Sequence, residues 1–351
     1  MKVWVDIANA PHVTLFRPVV DELRRRGHDV VLTAWDRGQT RCLALAAWPE
    51  AVMVGLAGFR RPVAAKGTAI WARGRELARR LAASGPDVAV GHNSYSQLVA
   101  AQLLGVPSVT MMDYEHQPAN HLAFRLANRV LVPDAVDARA LRRFGVSGAR
   151  LVRYPGLKEE IALAGFHARA RFRTELGVPE EPPLVTLRPA PEGALYHRGA
   201  NPLVDALLPR LERSGATVLL SPRTAAQAAR FRACPSVRVL DEPVSGPDLL
   251  FHSDVVVGAG GTMTREAAVL GTRSYTAFSG PLASVDHVLI RSGRLGVLRA
   301  PSDLPLSEVR RVPKAVGPRD RAPVTRFVDL LLATADELPD AGARARARGS
   351  A

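Results

Sequence analysis

The stretch Val255-Val256-Val257-Gly258-Ala259-Gly260-Gly261-Thr262-Met263-Thr264-Arg265-Glu266-Ala267-Ala268 decides the fold. A short aliphatic run, a glycine-rich turn and a helical pattern follow one another without a break. Continuous aliphatic residues suit a strand covered on both faces. Glycines let the backbone come close to an anion, and a helix opening directly after them presents free N–H groups and partial positive charge. Thr262 or Thr264 is placed to cap that helix and donate to phosphate. Glu266 reads as a first-turn acid, either a capping-box partner or an acceptor for ribose hydroxyls. Gly258-Ala259-Gly260 falls short of G-x-G-x-x-G and comes late in the chain, against a nicotinamide fingerprint. The plain alternative for the glycines is a tight strand-to-helix turn.

Outward from this stretch the same order recurs. Residues 2–8 read as a buried strand, 9–12 as a loop and 13–26 as a helix stopped by Gly27, with 29–33 the next strand. Strands at 87–91, 108–112 and 129–132 alternate with helices at 95–104 and 123–128. A second series places strands at 184–187, 216–220, 237–240 and 254–257, with helices at 202–213 and 264–270 between them. Strands alternating with helices predict parallel sheets. The fold class expected is therefore α/β: two doubly wound Rossmann-like domains facing across a cleft. Residues 1–155 are expected to form the first domain, 156–181 a connection and 182–323 the second domain. A last helix, 324–338, is expected to pack back onto the first domain, and the Ala/Gly/Arg tail 339–351 to be disordered.

Composition removes several classes. The chain has 351 residues, 47% of them hydrophobic and 23% charged, which excludes general disorder. Aromatics at 5% argue against a single-strand nucleic-acid platform. The net charge of +14 would suit nucleic acid or anionic lipid. All basic residues except Lys2, Lys66, Lys158 and Lys314 are arginine, in a chain rich in Ala, Gly and Pro, so a compositional bias explains the charge first. Cys42 and Cys234 are too few for a disulfide framework or a zinc site. With no spanning run and no signal-peptide pattern, a cytoplasmic protein is expected. The stretch from Phe59-Arg60-Arg61 through Trp71 to Arg79-Arg80-Leu81 mixes basic and apolar residues. It reads as a surface for anionic lipid or as a solvated basic helix with a core-facing stripe.

Strand-end loops carry the candidate chemistry, because open α/β sheets bind ligands at the carboxyl ends of their strands. Asp6-Ile7-Ala8-Asn9-Ala10-Pro11-His12 puts an imidazole after the first strand, suited to general-base work near neutral pH. Met112-Asp113-Tyr114-Glu115-His116-Gln117-Pro118-Ala119-Asn120 concentrates acids, imidazole and amides beyond what a turn needs. Its spacing matches no metal pattern, and no metal is expected. Gly91-His92-Asn93-Ser94-Tyr95 opens a helix and reads as substrate contact or as a cap. Arg188 and Arg223 follow strands in the same half as the glycine loop, and guanidinium forks suit phosphate oxygens. Tyr196-His197 lies in the loop after Arg188 and is a further substrate candidate.

Together these loops resemble the glycosyltransferase B superfamily over nearly the whole chain, to about residue 338. Within it they resemble the N-acetylglucosaminyltransferase that forms lipid II. His12 matches its first-loop histidine, Asn93-Ser94-Tyr95 its strand-end loop, and Glu115-His116-Gln117 with Asn120 its His-Glu-Gln-Asn block. Tyr154-Pro155-Gly156 is similar to its interdomain turn, and Gly260, Gly261, Thr262 and Glu266 to its late glycine loop. The closer match is the family called domain of unknown function 354. It rests on the Asp6–His12 start, Asp113-Tyr114-Glu115-His116-Gln117-Pro118-Ala119-Asn120, Gly156-Leu157-Lys158-Glu159-Glu160 and Gly260-Gly261-Thr262-Met263-Thr264-Arg265-Glu266-Ala267-Ala268. The first loop lacks the lipid II enzyme's glycines, so the acceptor pocket is expected to differ. The late loop also resembles the UDP-N-acetylglucosamine 2-epimerases, whose His-Arg-Arg-Glu-Asn segment is not reproduced by Arg188-Pro189-Ala190-Pro191-Glu192.

The resemblance implies sugar transfer from a nucleotide diphosphate donor, UDP-linked, to a small-molecule or lipid-linked acceptor. No further cofactor and no nucleic-acid partner are implied. His12, Asp6, Glu115 and His116 are the expected catalytic group, with Asp6 orienting His12. Asn9, Asn93, Tyr95, Asn120, Lys158 and His197 are expected to bind substrate. Arg188, Arg223, Gly260, Gly261, Thr262 and Glu266 are expected to hold the nucleotide. The alternatives are a 2-epimerase or hydrolase of the same fold, or a nucleotide-sugar-binding protein without catalysis.

Overall fold

A computed structural model describes residues 1–55, 66–190, 203–242 and 244–338. The chain divides into two compact units, Met1–Ala164 together with the chain from Arg321 on, and Gly165–Asp320. The stretch 156–181, expected to be a connection, is therefore shared out: residues up to 164 fold with the first unit and the rest with the second.

The first unit runs β1 (Lys2–Ile7), α1 (Ala10–Arg25), β2 (Asp29–Trp35), α2 (Gly38–Ala47), β3 (Val52–Val54), α3 (Lys66–Leu81), β4 (Val88–His92) and α4 (Tyr95–Leu104). It continues with β5 (Ser108–Met111), α5 (Asn120–Leu126), β6 (Arg129–Pro133), α6 (Ala138–Arg142), β7 (Leu151–Tyr154) and α7 (Lys158–Ala162). The second unit runs α8 (Phe172–Glu175), β8 (Leu184–Arg188), α9 (Leu203–Arg213), β9 (Thr217–Leu220), α10 (Ala225–Arg232), β10 (Val237–Val239) and α11 (Gly246–His252). It ends with β11 (Val255–Gly258), α12 (Gly261–Val269), β12 (Arg273–Thr276), α13 (Ser284–Arg291) and β13 (Leu295–Val297), before α14 (Ala322–Asp336) returns to the first unit.

Both sheets are parallel, with strand orders β3-β2-β1-β4-β5-β6-β7 and β10-β9-β8-β11-β12-β13. Each reverses direction of growth once, between β1 and β4 and between β8 and β11. A crevice opens at the carboxyl ends of such strands.

Alternation along β1 explains the packing. Val3, Val5 and Ile7 face the cluster of Leu15, Phe16, Val19 and Leu23 from α1, with Val324, Phe327, Val328 and Leu331 from α14. Trp4 faces the opposite layer with Leu77 and Leu81 of α3 and Ala100 of α4. Burying each such aliphatic side chain contributes about 1.5–3 kcal/mol. The last helix thus packs on α1 and α7. In the second unit Val185, Leu187, Val255 and Val257 meet Val204, Leu207 and Leu211 of α9.

Two helix starts differ from the sequence reading. Helix α1 begins at Ala10, so His12 lies in its first turn rather than in a loop. Pro11, in the stretch read as a loop, sits at the helix start, where its missing N–H would have had no partner. Helix α12 begins at Gly261, capped by the backbone of Gly260 alone. Thr264 Oγ1 therefore donates back to the carbonyls of Gly260 and Gly261, at 3.0 and 2.9 Å. Glu266 is the sixth helical residue, past the first turn.

Helix α3 turns Ala69, Arg73, Leu77 and Leu81 inward, a core-facing stripe, and leaves Trp71 exposed. Residues 56–65, the N-terminal part of the basic-apolar stretch, and the tail 339–351 lie outside the described residues. No described helix is long and apolar enough to cross a membrane.

Candidate functional site

In the first unit a polar cluster gathers at the carboxyl edge of the sheet. His12, 6 % exposed on the first turn of α1, packs edge-on against His92 at the end of β4, with ring centroids 5.2 Å apart. His92 Nε2 lies 3.1 Å from Asp113 Oδ1, just beyond β5. The other carboxylate oxygen, Oδ2, lies 2.8 Å from Lys158 Nζ, on the first residue of α7. Four elements thus bring His12, His92, Asp113 and Lys158 into one group.

Burial holds the His12 imidazole well below the usual histidine range, and the neighbouring His92, Lys158 and Arg37 push the same way against Asp113. Burial also lowers His92, followed by Lys158, with Asp113 opposing. Both rings are neutral at neutral pH, the state a proton acceptor needs. His12 Nδ1 is buried and has no hydrogen-bond partner among the described residues.

The amides form a second arm. Asn93 adopts a left-handed backbone at φ 49°, uncommon for a residue with a side chain. Its Nδ2 donates to Asn120 Oδ1 at 3.3 Å, and Asn120 Nδ2 donates to the Tyr114 carbonyl at 3.1 Å. Glu115 is buried, with Oε1 4.0 Å from His116 Nε2, an ion-pair separation rather than a hydrogen bond. Burial pushes the Tyr95 phenol up to about 12.

Asp6 does not join this group as expected. It is fully buried and accepts from Thr33 Oγ1 at 2.6 Å, from both Nη atoms of Arg73 and from Ser94 Oγ. None of these bonds reaches His12, so the orienting role fails and Asp6 is a structural anchor. Asn9 is the N-cap of α1 without a capping bond; its Oδ1 accepts from Arg37 Nη2 at 2.7 Å instead. His92, Asp113 and Arg37 were missed as site residues, although each stands at or just past a strand end, the position that selected the others.

In the second unit the glycine turn leaves β11 beside Arg188 and Arg223. Arg188 Nη1 donates to Ser221 O, Ser221 Oγ and Pro222 O at 2.9, 2.7 and 2.9 Å, while its Nε is buried with no partner among the described residues. Burial, with Arg223 adding repulsion, pulls its pKa down to about 9, and among the described residues no carboxylate offsets this. Arg223 Nε donates to Pro189 O at 2.9 Å. A side chain at Gly260 would meet Arg223 Nη2 at 2.9 Å, so the guanidinium lies directly over the turn. Two crowded cations at a helix start without a side-chain cap concentrate positive charge at the turn. Thr262 stands in the first turn, and Glu266 is 6 % exposed.

A cavity of about 330 Å³ adjoins these elements. It is lined by Leu203, Ala206, Phe278, Leu298 and Arg299 among others, and Ala277 on its wall donates to the Gly258 carbonyl at 2.9 Å. His197 and Tyr196 lie outside the described residues.

A family model described as "Protein of unknown function (DUF354)" matches residues 1–301. An uncharacterized protein of Methanocaldococcus jannaschii is 28% identical over 308 residues, 84% of this chain and 87% of that protein. Among solved structures, the UDP-GlcNAc 2-epimerase of Neisseria meningitidis bound to UDP-GlcNAc has a TM-score of 0.71 at 12% identity, covering 95% of this chain and 100% of that one. The UDP-GlcNAc 2-epimerase of M. jannaschii in complex with UDP-GlcNAc and UDP gives the same score, identity and coverage. MurG of Acinetobacter baumannii has a TM-score of 0.50 at 16% identity, covering 95% of this chain and 93% of that one. At these identities the likeness is one of fold, the glycosyltransferase B (GT-B) fold.

Proposed function

The chain belongs to the DUF354 family, and from that premise we propose that it is a glycosyltransferase using a nucleotide diphosphate sugar, UDP-linked, as donor. The observation that carries the reading is the pair Arg188 and Arg223 crowded at the Gly258–Gly261 turn, with Arg188 offset by no carboxylate among the described residues. A desolvated guanidinium such as that of Arg188, with no carboxylate beside it among the described residues, is costly, and a diphosphate resolves it.

In this reading the amides at Gly260, Gly261 and Thr262, the start of α12, Arg188 and Arg223 stabilise the leaving diphosphate. That is electrostatic stabilisation of charge as it develops. Glu266 accepts from ribose hydroxyls, and the cavity at Phe278 takes the base. His12 accepts the acceptor proton as the acceptor oxygen or nitrogen attacks C1. The C1–O bond breaks and its electron pair leaves on the diphosphate. Glu115, His116, Asn120, Asn93, Asn9, Tyr95, Lys158 and His197 bind acceptor or sugar. No resident cofactor enters this scheme. The acceptor is small or lipid-linked, and contact with an anionic membrane surface through the basic face of the first unit belongs to the lipid-linked case. The UDP-GlcNAc 2-epimerases of this fold make acceptor-free turnover the second reading.

Calorimetry with UDP and UDP-GlcNAc, on the protein and on Arg188→Ala, tests it. UDP is expected to bind, and Arg188→Ala to weaken it by about tenfold or more, as loss of a charged hydrogen bond does. No heat with any nucleoside diphosphate overturns the proposal. Mass spectrometry of the donor then separates the classes: turnover only with acceptor supports transfer, turnover without one supports epimerase or hydrolase, and binding without product leaves a non-catalytic binder.

A further inference from the structure

The carboxyl ends of β1 and β2 carry a cation that the donor-binding reading does not use. Arg37 follows β2 and lies over the Trp35 ring, Cζ 4.0 Å from its centroid. Its Nη2 donates to Asn9 Oδ1 at 2.7 Å and leans on the Ala8 carbonyl at 3.4 Å. Among the described residues Arg37 has no carboxylate partner, and the adjacent Asp36 is taken by Arg41 at 2.7 Å. The guanidinium is thus held in place by neutral groups, with Nε and Nη1 making no bond to a described residue.

The element it is tied to is the start of α1, a 16-residue helix. Asn9 would ordinarily cap that helix, but its side-chain oxygen is turned to Arg37 and makes no capping bond. The first turn holds no acid. The positive end of the helix dipole is therefore left uncompensated beside a fixed guanidinium. On that first turn stands His12, 6 % exposed, with Nδ1 buried and unpartnered. Asn9 joins the two, its carbonyl accepting from the His12 backbone N–H at 3.0 Å and its Oδ1 from Arg37 at 2.7 Å. A buried polar atom without a partner calls for one.

We propose that the α1 start, Arg37 and His12 Nδ1 form an anion subsite of the first unit, which takes a phosphoryl or carboxylate group of the second substrate. An anion there accepts from the Arg37 fork and from Nδ1–H of His12. Holding the proton on Nδ1 leaves Nε2 as the basic nitrogen, the tautomer a general base requires. The subsite therefore selects an anionic acceptor and orients the base at once. The assignment to a second substrate rests on the transferase reading, whereas the anion binding itself does not.

The test is a thermal and calorimetric titration with inorganic pyrophosphate and with malonate, at fixed ionic strength set with sodium chloride. It uses the full chain with saturating UDP, and the Arg188→Ala variant without UDP. In both, one of the two anions is expected to bind, pyrophosphate marking a phosphoryl ligand and malonate a carboxylate. Arg37→Ala should weaken that binding about tenfold or more, and Arg37→Lys, which keeps charge but loses the fork, should recover only part of it. Unliganded melting of each variant reports that it folds. Absence of anion binding in both backgrounds overturns the proposal, as does undiminished binding by a folded Arg37→Ala. Failure of UDP to bind would sink the donor reading alone, since the Arg188→Ala arm reads the subsite without it.

Discussion

Asp6 and Arg73 close a two-point ion pair inside the first unit, Nη1 to Oδ2 at 2.9 Å and Nη2 to Oδ1 at 2.8 Å, with both side chains fully buried. Arg73 Nε adds a bond to the Val54 carbonyl at 3.0 Å, and Asp6 takes Thr33 as well. The pair ties β1, β2 and β3 to α3. Removing one partner strands a buried charge, so Asp6→Asn is expected to lower stability by about 3–5 kcal/mol in urea unfolding. An Asp6→Leu/Arg73→Met double variant should recover much of that loss. A single variant with an unshifted urea midpoint would contradict the anchoring role.

Lys158 adds to burial in lowering the imidazoles around Asp113. Lys158→Met removes a positive charge that lowers both His12 and His92. The Asp113 carboxylate, 2.8 Å from Lys158 Nζ, loses that cation and keeps His92 at 3.1 Å. Both imidazole pKa values should rise, His92 the more because it contacts the Asp113 carboxylate. Histidine-ring NMR titration reads this directly. Unmoved ring titrations in the folded variant would mean that Lys158 does not govern the group.

Much of this was legible in the chain. Aliphatic runs such as Val255–Val257 marked the strands, and Gly258–Gly261 marked the turn. What was not legible is long-range. Asp6 looked like a site acid because it stands near a strand end. Parity along β1 instead sends it with Trp4 toward α3, where Arg73 waits 67 residues away. Pro11 hid the true start of α1. Arg37 was hidden by composition: in a chain where nearly every basic residue is arginine, no single one stands out until Trp35 and Asn9 are seen to hold it.

The glycines of the late turn separate stability from binding. A Cβ at Gly261 would lie 2.9 Å from Arg265 Nη2 and 3.0 Å from its Cζ. That guanidinium is locked on Asp286 at 2.6 and 3.0 Å and has little room to yield. Gly261→Ala should therefore lower stability by about 1–3 kcal/mol. At Gly260 the obstacle is Arg223 Nη2 at 2.9 Å, the end of a long side chain. Gly260→Ala should move Arg223 and weaken UDP binding with a smaller change in the urea midpoint. Equal effects of both variants on both measurements would remove the distinction.

Acid should destabilise the first unit through His12. Its folded-state pKa is depressed, chiefly by burial, below the 6.5 of an unfolded chain. Above that unfolded value both states are neutral and the group contributes no pH dependence. Between the unfolded and the folded value the unfolded chain holds the extra proton, so stability falls as pH drops. Below the folded value both are protonated and the slope ends. The groups that face the ring are His92, Lys158 and Arg37, which oppose its charge, and Asp113, which favours it. His92 shifts in the same direction and steepens the same window. Carboxylates add their own dependence at lower pH, so the informative quantity is a difference between proteins. His12→Gln should lose slope relative to the parent from pH 6.5 downward, approaching about 1.4 kcal/mol per pH unit, the value of one proton per molecule, about one unit lower. Urea unfolding at pH 7, 6 and 5 measures it. Parallel stability curves for the two proteins would show that the buried imidazole is not held neutral, and the base assigned to His12 would have to be sought elsewhere.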